Sequence, residues 1–389
     1  MSKRHRFSNM KIAVLGGDGF CGWPCALHLA SQGHTVTVVD NLSRRALGDA
    51  LNAPSLTPIK SIHERIKAAK KVGNIVFEYC DIAKDYDGFK ATLSSIDADT
   101  IIHFAEQRSA PYSMLGSAER RYTVDNNVSG TNNLLSALVE LGQSPHVVHL
   151  GTMGVYGYST ELGKVPEGYL DVSIPQTQKT VSIPYPANPG SIYHLTKVLD
   201  HQLMQFYAKN WGFRITDLHQ GIVWGTETEL TMSEPALMNR FDYDGEYGTV
   251  LNRMICQAQI GYPLTVYGSG QQSRAFINIS DTVRCVAIAA ENPPQSGDRV
   301  QVFNQVGEVH TIRDLANMIS DKTSVDIGYL DNPRKEAAKN DLDVCNAGLR
   351  SLGFDPVKLG DTLLNEIQTT VHKYSDRLNR DVILSNARW

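Results

Sequence analysis

An α/β fold built on a doubly wound parallel sheet is predicted by three features of this 389-residue chain. Strand-like and helix-like segments alternate up to about residue 225, and a glycine-rich turn, Gly16-Gly17-Asp18-Gly19-Phe20-Cys21-Gly22, joins the first strand to the first helix. A Tyr and a Lys four residues apart, Tyr193 and Lys197, then fall on one face of a later helix. Regular alternation of this kind places a parallel sheet between two layers of helices.

The elements follow in order. Lys11-Ile12-Ala13-Val14-Leu15 is a short apolar run with β-branched members, hence a strand, and residues 22–30 have the apolar spacing of a helix. His34-Thr35-Val36-Thr37-Val38-Val39 reads as a second buried strand with Asp40 at its end. Residues 41–73 are polar and helix-forming in their second half. Further strands are expected at 75–79, running into Cys80-Asp81-Ile82, at 100–105, at 146–151 and at 213–218, with a helix over 126–141 and another carrying Tyr193 and Lys197. Beyond residue 225 the texture changes to charge and turn formers. A helix at 251–259, a turn at Gly261-Tyr262-Pro263 and a loop at Gly268-Ser269-Gly270 follow, and 276–292 reads as one more strand and helix of the first domain. The expected organisation is a Rossmann-like dinucleotide-binding domain, 1–225 with 276–304, and a smaller α/β substrate-binding domain from 226–275 and 305–389. The substrate is expected in the cleft between them.

The chemistry follows from residue types at these positions. Closely spaced glycines let a pyrophosphate approach the backbone at a helix N-terminus, and an acid about 20 residues further on accepts hydrogen bonds from a ribose diol. Asp40 holds that place and argues for NAD over NADP, whose 2′-phosphate would meet a carboxylate; Arg44 and Arg45 leave the choice open. The bland alternative is a purely structural turn. On the Tyr193/Lys197 face, an ammonium lowers the phenol's pKa and makes it a proton acceptor near neutral pH.

Composition bounds the class. With 42% apolar and 20% charged residues and a net charge of −4, the chain has material for a large core and lacks the basic surface of a nucleic-acid binder. No apolar stretch has membrane-spanning length, and the basic Met1-Ser2-Lys3-Arg4-His5-Arg6 leads into a strand, so neither a membrane partner nor a signal peptide is expected and the address is cytoplasmic. The six cysteines, Cys21, Cys25, Cys80, Cys256, Cys285 and Cys345, form no CxxC pair; they read as reduced packing residues, with no disulfide or metal site expected.

The glycine turn, Asp40, Asp81-Ile82, Thr152 and the Tyr193/Lys197 pair resemble an extended short-chain dehydrogenase/reductase acting on nucleotide sugars. The segments His103-Phe104-Ala105-Glu106-Gln107-Arg108-Ser109-Ala110-Pro111-Tyr112-Ser113-Met114, Gly151-Thr152-Met153-Gly154, Tyr193-His194-Leu195-Thr196-Lys197, Phe241-Asp242-Tyr243-Asp244, Pro263-Leu264-Thr265-Val266-Tyr267-Gly268 and Asn332-Pro333-Arg334 narrow the resemblance to the UDP-sulfoquinovose synthase family. It implies NAD held by Gly16, Gly19, Phe20, Cys21, Gly22, Asp40, Asn41, Arg44, Asp81, Ile82, Tyr193 and Lys197. It also implies catalysis by Thr152, Tyr193, His194 and Lys197 on a UDP-sugar, UDP-glucose with sulfite, held by Arg108, Thr152, Gln220, Arg274 and Arg334, and a homodimer. Ordinary sugar 4,6-dehydratases resemble Thr-Asp-Glu where this chain has Thr152-Met153-Gly154, which moves acid/base duty toward His194.

Each of these residues has a bland reading. Arg108 pairs with Glu106 or another acid, Arg274 and Arg334 are surface arginines, His194 is a packed bystander, and Tyr156 is either a core aromatic or a substrate contact. Three departures from the family pattern are expected to touch the substrate side: Val155 in place of a Glu, the loop Gly270-Gln271-Gln272-Ser273-Arg274-Ala275 in place of Gly-Gly-Gln-Thr-Arg-Gly, and Lys335-Glu336-Ala337-Ala338-Lys339-Asn340-Asp341-Leu342 after Arg334. The alternatives kept open are a UDP-sugar 4-epimerase or 5,6-dehydratase acting on another UDP-hexose without sulfite and, in a different class, a non-catalytic NAD-sensing protein.

Overall fold

The computed structural model describes residues 9–157, 161–384, 387 and 389, with the side chains of 361–363 left out of the description. Its first part reads β1 (Lys11–Leu15), α1 (Gly22–Ser31), β2 (Thr35–Asp40), α2 (Ser43–Ala50), α3 (Ile62–Ala69), β3 (Ile75–Tyr79), α4 (Tyr86–Ile96), β4 (Thr100–His103), α5 (Ser117–Leu141) and β5 (His146–Thr152). A hairpin of β6 (Tyr169–Ile174) and β7 (Lys179–Pro184) precedes α6 (Ile192–Trp211) and β8 (Arg214–Gln220). Next come β9 (Ile222–Trp224), α7 (Glu229–Met232), α8 (Val250–Gln259), β10 (Leu264–Tyr267), β11 (Gln271–Asn278), α9 (Ile279–Glu291) and β12 (Gln301–Gln305). Beyond them lie β13 (Glu308–Thr311), α10 (Ile312–Thr323) and β14 (Ile327–Leu330).

Seven strands form one parallel sheet in the order β12-β8-β5-β4-β1-β2-β3. Helices cover both faces, so strand interiors such as Ile12-Ala13-Val14-Leu15 are apolar without alternation, as a sheet buried on two sides requires. One core packs α1 and α9 against one face; the other packs α4, α5 and α6 against the opposite face. The strand order reverses between β1 and β4, and the chain ends of those strands open the crevice where ligands bind in such sheets. A third core gathers Trp224, Phe241, Leu251, Phe276 and Leu315 beneath the smaller sheets. Among the described residues no helix is long and apolar enough to cross a membrane.

The structure corrects several sequence expectations. The strand expected at 276 is the end of β11, which pairs with β9 and β13 outside the central sheet. The chain does return to the large sheet, through α9 and the unforeseen seventh strand β12. β4 stops at His103, because the backbone turns there to form the cleft wall, and α5 begins at Ser117 rather than 126. The β6–β7 hairpin, mostly exposed, had no apolar alternation strong enough to reveal it.

Candidate active site

The glycine turn is shaped by exclusion of side chains. Gly16 has φ +76°, and a Cβ there would lie 2.7 Å from the Phe104 carbonyl carbon; a Cβ on Gly22 would lie 2.2 Å from the Gly16 oxygen. At the end of β2, the Asp40 carboxylate accepts from the Asp18 amide (2.9 Å) and the Leu42 amide (2.7 Å). Burial, followed by the charge of Asp18, pushes its carboxyl up to about 6. Arg45 pairs with Asp18 at 2.7 Å, and Arg65 grips the same carboxylate from the other side. Arg44 turns away from Asp40 to Asp242 at 3.0 Å, stacking over Tyr247 at 3.8 Å. Asn41 donates to Asp81 at 3.1 Å, while the other Asp81 oxygen caps the amides of Ala83 and Lys84. The bare glycine cradle and the carboxylate beyond it fit a dinucleotide.

Helix α6 is capped by Ser191, whose hydroxyl accepts from the His194 amide at 3.2 Å. The resulting helical turn puts Tyr193 and Lys197 on one face, the ammonium 6.0 Å from the phenol ring centroid. Lys197 donates to the Leu150 carbonyl at 2.5 Å and pairs with buried Glu106 at 2.7 Å. Thr152 ends β5, and its hydroxyl accepts from the Gly154 amide at 3.1 Å. The His194 ring lies 5.2 Å from that of Tyr193 and packs on Gly154, where a Cβ would fall 2.2 Å from the imidazole Cδ2. Burial, then Arg334 and Arg274, hold the imidazole down at about 3, so it is neutral near pH 7; its Nδ1 has no hydrogen-bond partner among the described residues.

Opposite stand the arginines. Arg108 pairs with Asp242 at 2.5 Å and donates to the Tyr247 carbonyl at 3.2 Å, so its acid is Asp242 and not Glu106. Against the upward pull of burial, Arg240, Arg44 and Arg108 hold the Asp242 carboxyl well below the usual range. Arg274 is buried, pairs with Glu336 and donates to the Ser273 carbonyl at 3.0 Å. The Arg334 guanidinium lies 5.0 Å from the Trp389 ring, and the Trp389 indole donates to the Gly190 carbonyl, just before the N-cap of α6, at 2.6 Å. Gln220 donates to Thr282 at 3.0 Å.

All of the residues implied for cofactor, substrate and catalysis line one cleft, with about 2440 Å³ of empty space continuous with solvent. Tyr156 does not. Its hydroxyl sits in a buried network with Asn304, the Gly168 amide and His219, which removes the substrate-contact option. The family departures also fall differently from expectation: Val155, Ala275 and Leu342 share one apolar cluster, and only Ala275 of the three reaches the cleft wall. An apolar side chain at 155 is thus matched by apolar neighbours behind the wall. Within the segment after Arg334, Glu336 faces the site, and it is a residue that keeps the family pattern.

Sequence reasoning passed over the acids that position these groups. Glu106 and Asp242 stood inside motifs that were recognised, yet their partners Lys197 and Arg108 lie far along the chain. Behind Lys197, His149 contacts both Glu106 and Asp217, and Asp217 also meets His201 and His219. In sequence His149 is simply one residue of a strand. The two groups His103/Glu106/His149 and His201/Asp217/His219 bring ligand-type atoms within 4.8 Å. Hydrogen bonds already engage those atoms, with one another or, for His103, with the Thr131 hydroxyl at 3.1 Å, and we assign them no ion. All six cysteines are free thiols, five of them buried.

The profile of the NAD dependent epimerase/dehydratase family matches residues 12–304. The chain is 41% identical to the chloroplastic UDP-sulfoquinovose synthase of Spinacia oleracea, over 97% of this chain and 79% of that protein. It is 37% identical to the UDP-sulfoquinovose synthase of Sulfolobus acidocaldarius, over 98% of each. Among solved structures, a UDP-glucose 4-epimerase from Thermotoga maritima with UDP-glucose is similar in fold at TM-score 0.68 and 22% identity, covering 95% of this chain and 99% of that one. The parallel sheet, the glycine cradle and the Tyr193/Lys197 helix thus agree with near full-length likeness, and the chain belongs to the NAD dependent epimerase/dehydratase family, within its UDP-sulfoquinovose synthase branch.

Proposed function

We propose that this enzyme converts UDP-glucose and sulfite to UDP-sulfoquinovose through a 4-keto-5,6-ene sugar, with NAD as resident cofactor. The observation that carries the reading is the matched pair of His194 and Gly154. The strand end that would hold two acids in a 4,6-dehydratase is bare here, and a neutral imidazole fills the space beside the Tyr193 phenol. Gly16, Gly19, Phe20, Cys21 and Gly22 would line the pyrophosphate; Asp40 and Asn41 would face the adenosine ribose, with Arg44, Asp81 and Ile82 along the adenosine side. Bound NAD supplies the hydride acceptor at C4 and returns the hydride at the end of the cycle.

The chain's own residues manage the protons. Tyr193 as phenolate takes the O4 proton while Thr152 holds that oxygen, and Lys197 keeps the phenolate charged. The ketone at C4 acidifies the C5 proton, which the neutral His194 accepts and delivers to the C6 hydroxyl as it leaves as water. Sulfite then adds to C6, C5 regains a proton, and Tyr193 returns its proton to O4. The sum is UDP-glucose, sulfite dianion and one proton giving UDP-sulfoquinovose and water. Arg274 and Arg334, from the substrate domain of 226–275 with 305–389, would hold the diphosphate, while Gln220 would hold the sugar and Arg108 the sulfite from the cofactor domain of 1–225 with 276–304.

A cytoplasmic homodimer completes the reading. Free buried thiols suit a reducing compartment, and the exposed face of α6 carries Leu195, Leu199 and Phe206 beside α5. The deciding experiment incubates the protein with UDP-glucose with and without sulfite and follows the sugar by mass and NMR. A sulfite-dependent product with a C6–sulfur bond is expected. UDP-galactose alone, or an unsaturated sugar that ignores sulfite, would overturn the synthase reading.

A further inference from the structure

Lys197 presents a difficulty for any role in charging Tyr193. Its ammonium is 2.7 Å from the Glu106 carboxylate, and both groups are buried. A neutral ion pair exerts little net field on a neighbouring phenol, so Glu106 alone would cancel the lysine that the chemistry needs.

The other side of Glu106 holds the answer. His149 has no exposed surface, and each of its ring nitrogens meets a carboxylate oxygen: Nε2 meets Glu106 at 2.9 Å and Nδ1 meets Asp217 at 2.8 Å. A carboxylate only accepts, so the 2.9 Å contact to Glu106 has Nε2 donating, in preference to the longer 3.4 Å approach of the Lys197 ammonium to the same nitrogen, and both ring nitrogens then donate. Neither acid has reason to be protonated. Glu106 also receives Lys197, and the second Asp217 oxygen receives His201 at 2.7 Å and His219 at 3.0 Å. With His149 charged, the buried group of Lys197, Glu106, His149 and Asp217 sums to zero, with the two cations, 3.4 Å apart, sharing the Glu106 carboxylate. With His149 neutral it would hold one uncompensated negative charge, a state that burial penalises heavily.

We infer that His149 is a standing imidazolium that neutralises Glu106 and so leaves the Lys197 charge effective at Tyr193 near neutral pH. The inference rests on Tyr193 being the base, and it makes His149 a positioning residue acting through Glu106 and Lys197. The groups facing it fit this role. From β4, His103 lies 5.5 Å away between ring centroids and is held at about 3 by burial, hence neutral. From α6, Asp200 is pushed well above the usual carboxyl range by burial and Glu106, and His201 is hydrogen-bonded to Asp217 and Gln205. From β8, burial lowers His219, whose Nδ1 faces the Tyr156 hydroxyl at 2.7 Å. His149 itself is pulled down by burial and Lys197, yet Asp217 and Glu106 bring it to about 9.

Two measurements decide the matter. Nitrogen-15 NMR of histidine-labelled whole protein at pH 7.5, with His149 assigned from the spectrum of H149Q, reads the charge without any substrate; both ring nitrogens protonated is expected, and a single-tautomer neutral ring would overturn the inference. Kinetics then read the consequence as the rate of NAD reduction by UDP-glucose against pH. In H149Q the acid limb should move toward alkaline pH by about one unit, the effect of one charge over several ångströms at an effective dielectric constant of about 20, with the rate recovering at high pH. His149→Lys restores a cation and should return the limb to its wild-type position. A loss in H149Q that is the same at every pH, with H149K no better, would mark His149 as packing only and overturn the inference. Wild-type protein inert toward UDP-glucose would count against the proposed function instead, and the NMR result would still decide the charge of His149.

Discussion

On the cofactor wall of the cleft, position is set by backbone. Gly16 and Gly22 sit where a Cβ would strike the neighbouring chain, and Asp40 is fixed by amides two residues ahead and 22 residues behind it. On the opposite wall, Arg108 and Arg274 are each fixed by an acid far away in sequence. Arg108 and Asp242 are 134 positions apart, and Arg274 and Glu336 are 62 apart. The first wall therefore tolerates no added volume, whereas the second tolerates no lost charge. In an enzyme family with one cofactor and many sugars, this difference separates what must stay constant from what is adjustable by exchanging partners.

The contrast is broken most severely at Asp242. Asp242→Asn leaves Arg44, Arg108 and Arg240 without their common acid, and losing one member of a buried ion cluster costs about 3–5 kcal/mol. Denaturant unfolding should show that loss, and a change under about 1 kcal/mol would mean that water already screens the cluster.

A smaller effect is expected from volume on the other wall. Gly22→Ala brings a methyl within 2.2 Å of the Gly16 oxygen, and overpacking of that kind costs about 1–3 kcal/mol. It should appear as NAD affinity weakened by about 10- to 100-fold in calorimetry, with UDP binding little changed. Equal loss of both ligands would show that the two walls are not separable.

The mildest test is pH. The Asp40 carboxyl is raised to about 6 in the folded protein, so the form that accepts ribose hydrogen bonds predominates only above that pH. NAD affinity should rise as pH climbs through about 6 and level off above 7. The sign for stability without NAD is opposite: a raised carboxyl favours folding most below its unfolded value near 3.8, and that contribution is lost as pH rises through about 6. Asp40→Asn should flatten the NAD titration, and an unchanged pH dependence would assign it to another group.

Legibility in the sequence followed the same division. The glycine turn, Asp40 and the Tyr193/Lys197 spacing were readable because each is local: a turn, a strand end, one turn of helix. Helix α8 and strands β1 and β3 had clear periodicity and near-correct bounds. The edge strand β12 escaped notice because its five residues carry no strong pattern, and β11 was assigned to the wrong sheet because pairing is a non-local choice. The family departures looked like changes at the substrate because position 155 lies only three residues beyond Thr152, for which we propose a catalytic role. In three dimensions Val155 faces away, into a cluster with Leu342.

By itself, then, the sequence determined the fold class, the glycine turn and the helix that pairs Tyr193 with Lys197, since short-range backbone geometry and side-chain periodicity encode them directly. Tertiary structure alone decided which acid serves which cation. Glu106 goes to Lys197 and Asp242 to Arg108, although Glu106 is only two residues from Arg108. The chain bends at Glu106, so residues two apart do not share a face there, and a buried charge is stabilised by whatever opposite charge the packing brings within about 3 Å, irrespective of the length of chain between them.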